Sequence, residues 1–196
     1  GYDIVIQKTG AVGASAQGMY DIVDQLATSI PTDFETAGEA VGEVNTRFGL
    51  TGDELETLSA QFVKFAKLNN TDVASSIDSV QKALSAYGLD ADHADTLLNR
   101  LNKTGQETGV SVDTLTSGLI QNGTAFQEMG LNIYQSTALM GQLEKSGANS
   151  ETVMQGLRKA LKSAAKDGKP LNQALDELQT AIENDEGGMK GLNAAY

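Results

Sequence analysis

The only histidine of the chain, His93, lies among three aspartates, Asp90, Asp92 and Asp95. Imidazole and carboxylate groups bind metals and form acid–base pairs, so this cluster is the first candidate for chemistry. Because the chain contains no cysteine, a tetrahedral zinc site here would need three carboxylates or water beside the histidine. The cluster directly follows Gly88-Leu89, and carboxylates favour the positive end of a helix. We therefore predict that it begins a helix and binds no metal.

Other short motifs lack the spacing that catalysis or cofactor binding requires. Gly10-Ala-Val-Gly13 and Gly187-Gly188 match neither a dinucleotide fingerprint nor a P-loop, and no serine lies in a GxSxG motif. The NxT sequences at Asn69, Asn102 and Asn122 follow no secretory signal, so they indicate loop or helix composition rather than glycan sites. The sequence predicts no catalytic, cofactor-binding or metal-binding residue.

Charge and composition exclude several classes of function. Fourteen Lys and Arg against twenty-six Asp and Glu give a net charge of −12, which repels phosphate backbones, so we expect no direct nucleic-acid binding. No stretch approaches the roughly 20 apolar residues of a membrane helix. One local basic run is interpreted as a solvated helix face, with a partner contact as the alternative. The run consists of Arg158, Lys159, Lys162, Lys166 and Lys169.

Apolar residues recur every three or four positions along most of the chain, which is the spacing of amphipathic helices. Leu55, Leu58, Phe62 and Phe65 follow it, and no comparable stretch alternates with period two. Many glycines and only two prolines favour helices that end at glycine caps. The sequence predicts an all-α fold of eight or nine helices. They are expected at 14–29, 32–47, 52–68, 72–86, 91–108, 112–128, 132–146, 150–167 and 171–185.

Two of these helix starts resemble a capping box. Thr32 with Glu35, and Thr51 with Glu54, have the spacing in which the hydroxyl accepts from an amide and the Glu reaches back. The connections between predicted helices are only a few residues long. Successive helices are therefore expected to be near-antiparallel neighbours.

A large apolar residue followed by Gly-Leu occurs three times, at Phe48-Gly49-Leu50, Tyr87-Gly88-Leu89 and Met129-Gly130-Leu131. The spacings are 39 and 42 residues. Each Gly is predicted to follow a helix end, with the Leu beyond it folding back onto that helix, for example at Leu84 or Phe126.

The recurring unit is a helical hairpin, in which the second helix aligns Val73 with Leu115. One hairpin cannot bury its apolar face alone and stacks on the next. The predicted repeats are 49–87, 88–129 and 130–168, between an N-terminal helical segment (1–48) and a C-terminal helix (to 196). An irregular bundle with coincidental Gly-Leu recurrences is the alternative.

Several stretches resemble the core region of the phage tail tape measure protein family, the phage-related minor tail proteins. Residues 2–13, YDIVIQKTGAVG, resemble the start of that core, where a helix ends in a QKTGA-type turn. Residues 42–73 are similar to the family's most recognisable stretch. The residues that match one by one are Gly42, Glu43, Val44, Asn45, Thr46, Phe48 and Gly49. Further similar segments, at 86–115, 130–161 and 165–178, keep the family's order, and the chain is interpreted as a fragment of a longer protein.

The resemblance implies a structural and assembly role rather than an enzyme. A tape measure protein extends through the growing tail, sets its length and leaves the tube ahead of the DNA. The implied partners are tail-tube, tail-tip and tail assembly chaperone proteins, with self-association as a further option. The implied location is the host bacterial cytoplasm during assembly and then the tail lumen. A generic helical-repeat scaffold for protein–protein interaction, and a wall-cleaving enzyme, are the alternatives.

Overall fold

The computed structural model describes residues 1–147 and 153–156, together with the single residues 162, 166 and 168. All regular structure in these residues is helical, which confirms the all-α prediction. The α-helices are α1 (Tyr2–Thr9), α2 (Gly13–Ser29), α3 (Phe34–Phe48), α4 (Gly52–Asn69), α5 (Val73–Ala86), α6 (Ala94–Thr108), α7 (Val112–Glu128) and α8 (Ile133–Lys145), with a 3-10 turn at Ala91–His93. Seven predicted helices are thus present with ends within about two residues, counting the turn as the start of α6. The predictions at 150–167 and 171–185 lie almost wholly outside the described residues.

Helix α1 is missing from the prediction based on periodicity. It has 8 residues, and only Val5 is fully buried, so it offers no repeated apolar stripe. It ends at Gly10, which has a left-handed backbone with φ of 64°. The QKTGA-type helix end that the family resemblance implied is therefore present.

The helices form two layers that alternate along the chain. The odd-numbered helices contact one another in order, the even-numbered helices do the same, and each helix also contacts its neighbour in sequence. Helices of one layer run in the same direction: Gln61 of α4 bonds Asp95 at the start of α6, and Asn69 at the end of α4 bonds Asn102 further along α6. A continuous apolar core connects the helices.

The Gly-Leu recurrences end helices as predicted. After α5 the Leu89 amide donates to the Leu84 carbonyl at 2.9 Å, and after α7 the Leu131 amide donates to Phe126 at the same distance. The glycine before each leucine has a positive φ, which completes the same helix-closing motif twice. At α3 the closure differs, because Gly49 bonds back to Asn45 and the Asn45 side chain holds the Leu50 carbonyl at 2.9 Å.

Both predicted capping boxes are wrong in detail. Asp33, not Thr32, caps α3, because its carboxylate accepts from both the amide and the hydroxyl of Thr36. Thr51 occupies the cap position of α4, but its side chain makes no capping hydrogen bond. A complete capping box instead begins α8, where Asn132 and Gln135 bond each other's backbone amides.

The predicted alignment of Val73 with Leu115 is shifted by almost one turn. Asp72 and Ser111 cap α5 and α7 and are 39 residues apart, so Val73 corresponds to Val112 when the helices are counted from their starts. Helix α7 has 17 residues and α5 has 14, and these three extra residues produce the longer spacing of the later Gly-Leu copy.

Candidate functional site at the α1–α3 junction

The His93 cluster performs structural tasks at the start of α6. The Nδ1 atom of His93 lies 3.0 Å from the hydroxyl of Tyr134 in α8, and the Asp90 carboxylate accepts from the amide two residues on. Asp95 accepts from Gln61 of α4 at 2.8 Å. These contacts fit the predicted helix start. Within the described residues, no group of three or more His, Cys, Asp or Glu side chains is arranged to hold a metal ion.

The other candidates from the sequence are dispersed. Asn69 and Asn102 bond each other at 2.7 Å, and Asn122 bonds a carbonyl of its own helix. Of the basic run, Lys162 and Lys166 are exposed, and its other members lie outside the described residues, as do Gly187 and Gly188. The structure brings none of these residues into a common site.

The two stretches that carry the family resemblance meet where α1 and α3 end. The carbonyl of Lys8 accepts a hydrogen bond from the Thr46 hydroxyl at 3.1 Å. A Cβ at Gly42 would lie 2.9 Å from the Lys8 side chain, so glycine lets the lysine lie across α3. Thr9 closes α1 by donating to the Val5 carbonyl. The QKTGA segment and the GEVNTRFG segment therefore form one junction.

Glu43 is the central charge of this junction. It is only 9% exposed, and its two oxygens bind Lys8 Nζ and Arg47 Nε, each at 2.5 Å. Burial pushes the pKa of Glu43 upward, but the hydrogen bonds and charges of Lys8 and Arg47 outweigh it and lower this pKa. The carboxylate is consequently held in its charged form between two cations.

The ion pairs continue from this junction into α5. Arg47 Nη1 lies 2.7 Å from Asp78, and the other oxygen of Asp78 lies 2.7 Å from Lys82. Charges of alternating sign thus run from α1 across α3 to α5. We call this set of five residues, Lys8, Glu43, Arg47, Asp78 and Lys82, the charge ladder.

The remaining matched residues also act at this end of α3. Val44 is fully buried, Phe48 stacks on Phe62 of α4 with ring centroids 6.1 Å apart, and Asn45 and Gly49 close the helix. Sequence reasoning marked these residues through the resemblance but did not predict the charge ladder. Lys8 and Glu43 are 35 residues apart, and no local spacing connects them.

A groove of about 600 Å³ lies at the opposite edge, where the even-numbered helices lead into α3 and α5. Its polar lining includes Asp33, Asp72 and Glu39, with Lys67 donating to the Pro31 carbonyl at 2.7 Å. Burial and the nearby Asp72 raise the pKa of Glu39. The groove is open and mixed in charge, and it lacks the pairing of a nucleophile with a base that catalysis would use.

Comparison with known proteins identifies the class of this array. The profile of the phage-related minor tail protein family matches residues 6–196. The chain belongs to the phage-related minor tail protein family. The tape measure protein of Pneumococcus phage Dp-1 is 22% identical over 179 residues, which cover 90% of this chain and 16% of that relative. This minor tail protein chain thus spans about a sixth of that relative's length, and no solved structure matches it significantly.

Membership of this family makes the chain a phage tail structural protein. None of its helices, among the residues that the structure describes, is long and apolar enough to cross a membrane.

Proposed function

We propose that this chain is a structural and assembly module of a phage tail tape measure protein, within a protein that sets tail length and leaves the tube ahead of the DNA. The observation that carries the proposal is the family match over residues 6–196, together with the similarity to a named tape measure protein over most of the chain. The module acts without catalysis, cofactor or direct nucleic-acid binding.

The junction described above supports this assignment at the level of residues. Its two segments are those that carry the family resemblance, and they contact each other directly through Lys8, Glu43 and Thr46. A module retained for its shape needs such packing contacts, whereas an enzyme needs a cleft with reactive groups. The tandem helical hairpins at 49–87, 88–129 and 130–168 belong to the same proposal, with the helices of each pair antiparallel.

The proposed partners are tail-tube, tail-tip and tail assembly chaperone proteins, together with other copies of the chain. They would meet the module in the host cytoplasm during assembly, and the module would then lie in the tail lumen. A generic helical-repeat scaffold is the second candidate, and the open groove beside Asp33 and Asp72 is the observation that favours it.

The test is genetic and is made in the parent phage. Removing the codons for residues 2–147 in frame is expected to abolish normal tails or infection, as seen by electron microscopy of lysates and by plaque counts. The matched variant Glu107→Gln changes an exposed carboxylate whose oxygen lies 3.9 Å from Lys103, and it should leave both readouts unchanged. Normal tails and normal infection by the deletion phage would contradict the proposal.

A further inference from the structure

Left-handed glycines recur along the chain at nearly equal intervals. Gly10, Gly49, Gly88, Gly130 and Gly168 all have positive φ, and the intervals are 39, 39, 42 and 38 residues. Each of the first four lies within two residues of the end of an odd-numbered helix. The recurrence therefore begins at residue 10, one full interval before the first Phe-Gly-Leu copy.

The helix starts keep step with this interval. Asp33, Asp72 and Ser111 cap α3, α5 and α7 at intervals of 39 residues, and each side chain accepts from the amide three positions on. Residues 10–48 therefore contain the same series of features as 49–87, namely an even-numbered helix, a capped odd-numbered helix and a left-handed glycine. The N-terminal segment differs from a later repeat only in ending α2 without a left-handed residue.

The contacts between helices are local in sequence. The principal partners of every described α-helix are the helices one and two positions away along the chain. In such an array each unit is stabilised by its own helices and by the units before and after it. No principal contact within the described part of the chain joins one end of the array to the other.

From this locality we propose that residues 10–48, 49–87 and 88–129 are three equivalent units, and that a lengthwise pull opens them one at a time. Local contacts mean that one unit can lose its packing while its neighbours keep most of theirs. Stepwise opening is a property of the folded chain, and only its use during passage through a tail tube rests on the proposed function.

The expected step follows from chain geometry. Extending a 39-residue unit yields about 130–140 Å of chain and removes about 10 Å of folded spacing, so each step should measure about 120–130 Å. Opening all three units together would instead give one extension of roughly 400 Å.

The experiment holds the full chain by its two termini in optical tweezers and raises the force slowly. Two variants assign the steps. Each carries eight Gly and Ser residues in an exposed connection, one between Val110 and Ser111 and the other at the matched position between Thr71 and Asp72. Exposed loops tolerate such insertions at small cost in free energy. Circular dichroism first confirms that both variants keep the helix content of the parent.

Each insertion is expected to lengthen one step by about 26–29 Å and to leave the others unchanged, and the lengthened step should differ between the two variants. A single rupture, steps of half this size from individual helices, or the same step lengthened in both variants would overturn the proposal. These results need only the isolated chain. Failure here is thus distinct from failure of the tail-assembly role, which is tested in the phage.

Discussion

The first five helices and the last three are stabilised by different contacts. The charge ladder joins α1, α3 and α5, and within the described residues every ion pair between different helices belongs to it. Helices α6, α7 and α8 instead approach closely at glycines: a Cβ on Gly141 would lie 2.4 Å from Thr104, and one on Gly118 would lie 2.3 Å from Met140. One array can therefore respond to salt and acid in its first part and to side-chain volume in its second.

The largest expected effect tests whether the two parts unfold together. Phe62 of α4 and Phe126 of α7 are both fully buried, so replacing either with Ala should cost about 3–5 kcal/mol of unfolding free energy. Amide hydrogen exchange should show the loss of protection mainly in α3–α5 for Phe62→Ala and in α6–α8 for Phe126→Ala. Identical loss throughout the chain in both variants would show a single cooperative unit.

The next effect tests the close packing of the second part. Gly141→Ala forces a methyl group against the buried, β-branched Thr104, which we expect to lower the unfolding free energy by about 1–2 kcal/mol after the better helix propensity of Ala is included. The control is Gly18→Ala, a helical site with no atom within 4 Å of the added Cβ, which should be stabilised by about 0.5–1 kcal/mol. Thermal melts compare the pair, and equal shifts would show that the α6–α8 contact is loose.

Removing the central charge of the ladder should weaken the first part. Glu43→Gln leaves Lys8 and Arg47 without their shared carboxylate, at an expected cost of about 1–2 kcal/mol. Glu107→Gln breaks only an exposed pair and should change stability by less than about 0.5 kcal/mol. Denaturant melts at low and high salt measure both variants, and a salt response that Glu43→Gln leaves unchanged would remove the ladder from the account.

Acid should also act on the first part before the second. Hydrogen bonds from Thr36 and Ser75 lower the pKa values of Asp33 and Asp72, and the Glu43 pKa is lowered as well. A lowered folded pKa stabilises above the ordinary carboxyl range, and this stability is lost as the pH falls through the lowered pKa. Amide exchange, corrected for its intrinsic pH dependence, should therefore rise first in α1–α5 between neutral and acid pH.

Two details sharpen this acid comparison. The caps of α7 and α8 are Ser111 and Asn132, which do not titrate in this range. Glu39 has the opposite sign, because its raised pKa means that its ionisation costs stability as the pH rises and that acid relieves this cost. Earlier loss of protection in α6–α8 would contradict the assignment of the titrating contacts.

The smallest effect compares two buried serines of the first part. Ser59 is fully buried, and its hydroxyl has no hydrogen-bond partner among the described residues, whereas Ser76 donates to the Asp72 carbonyl at 2.8 Å. Ser59→Ala should be neutral or stabilising by up to about 1 kcal/mol, and Ser76→Ala should cost about 1 kcal/mol. Chemical denaturation can resolve the difference, and a clear loss in Ser59→Ala would indicate an undetected partner.

Helix positions could be predicted because their signals are local. The three- and four-residue spacing of Leu55, Leu58 and Phe62 and the left-handed glycines at helix ends lie within single segments of sequence. Caps were less predictable, because neighbouring residues such as Thr32 and Asp33 compete for the same amide. Helix α1 was missed by periodicity because it buries one residue along its length.

The charge ladder could not be derived from sequence spacing. Its first ion pair joins residues 35 positions apart, and Arg47 reaches Asp78 in another helix. Only the folded stacking of α1, α3 and α5 brings these charges together. The resemblance did mark Glu43 as a matched residue, although it gave no physical reason. The contact with Lys8, Arg47 and the space at Gly42 supplies that reason.

The most direct test of the tail-assembly role is a mass determination by light scattering. The isolated chain is measured alone and then with the purified tail-tube and tail-tip proteins of the same phage. We expect its mass to increase in the presence of one of them, with Glu107→Gln behaving like the parent. A chain that keeps its own mass with both proteins, at concentrations well above those of tail assembly, would contradict direct docking of this module in the tail.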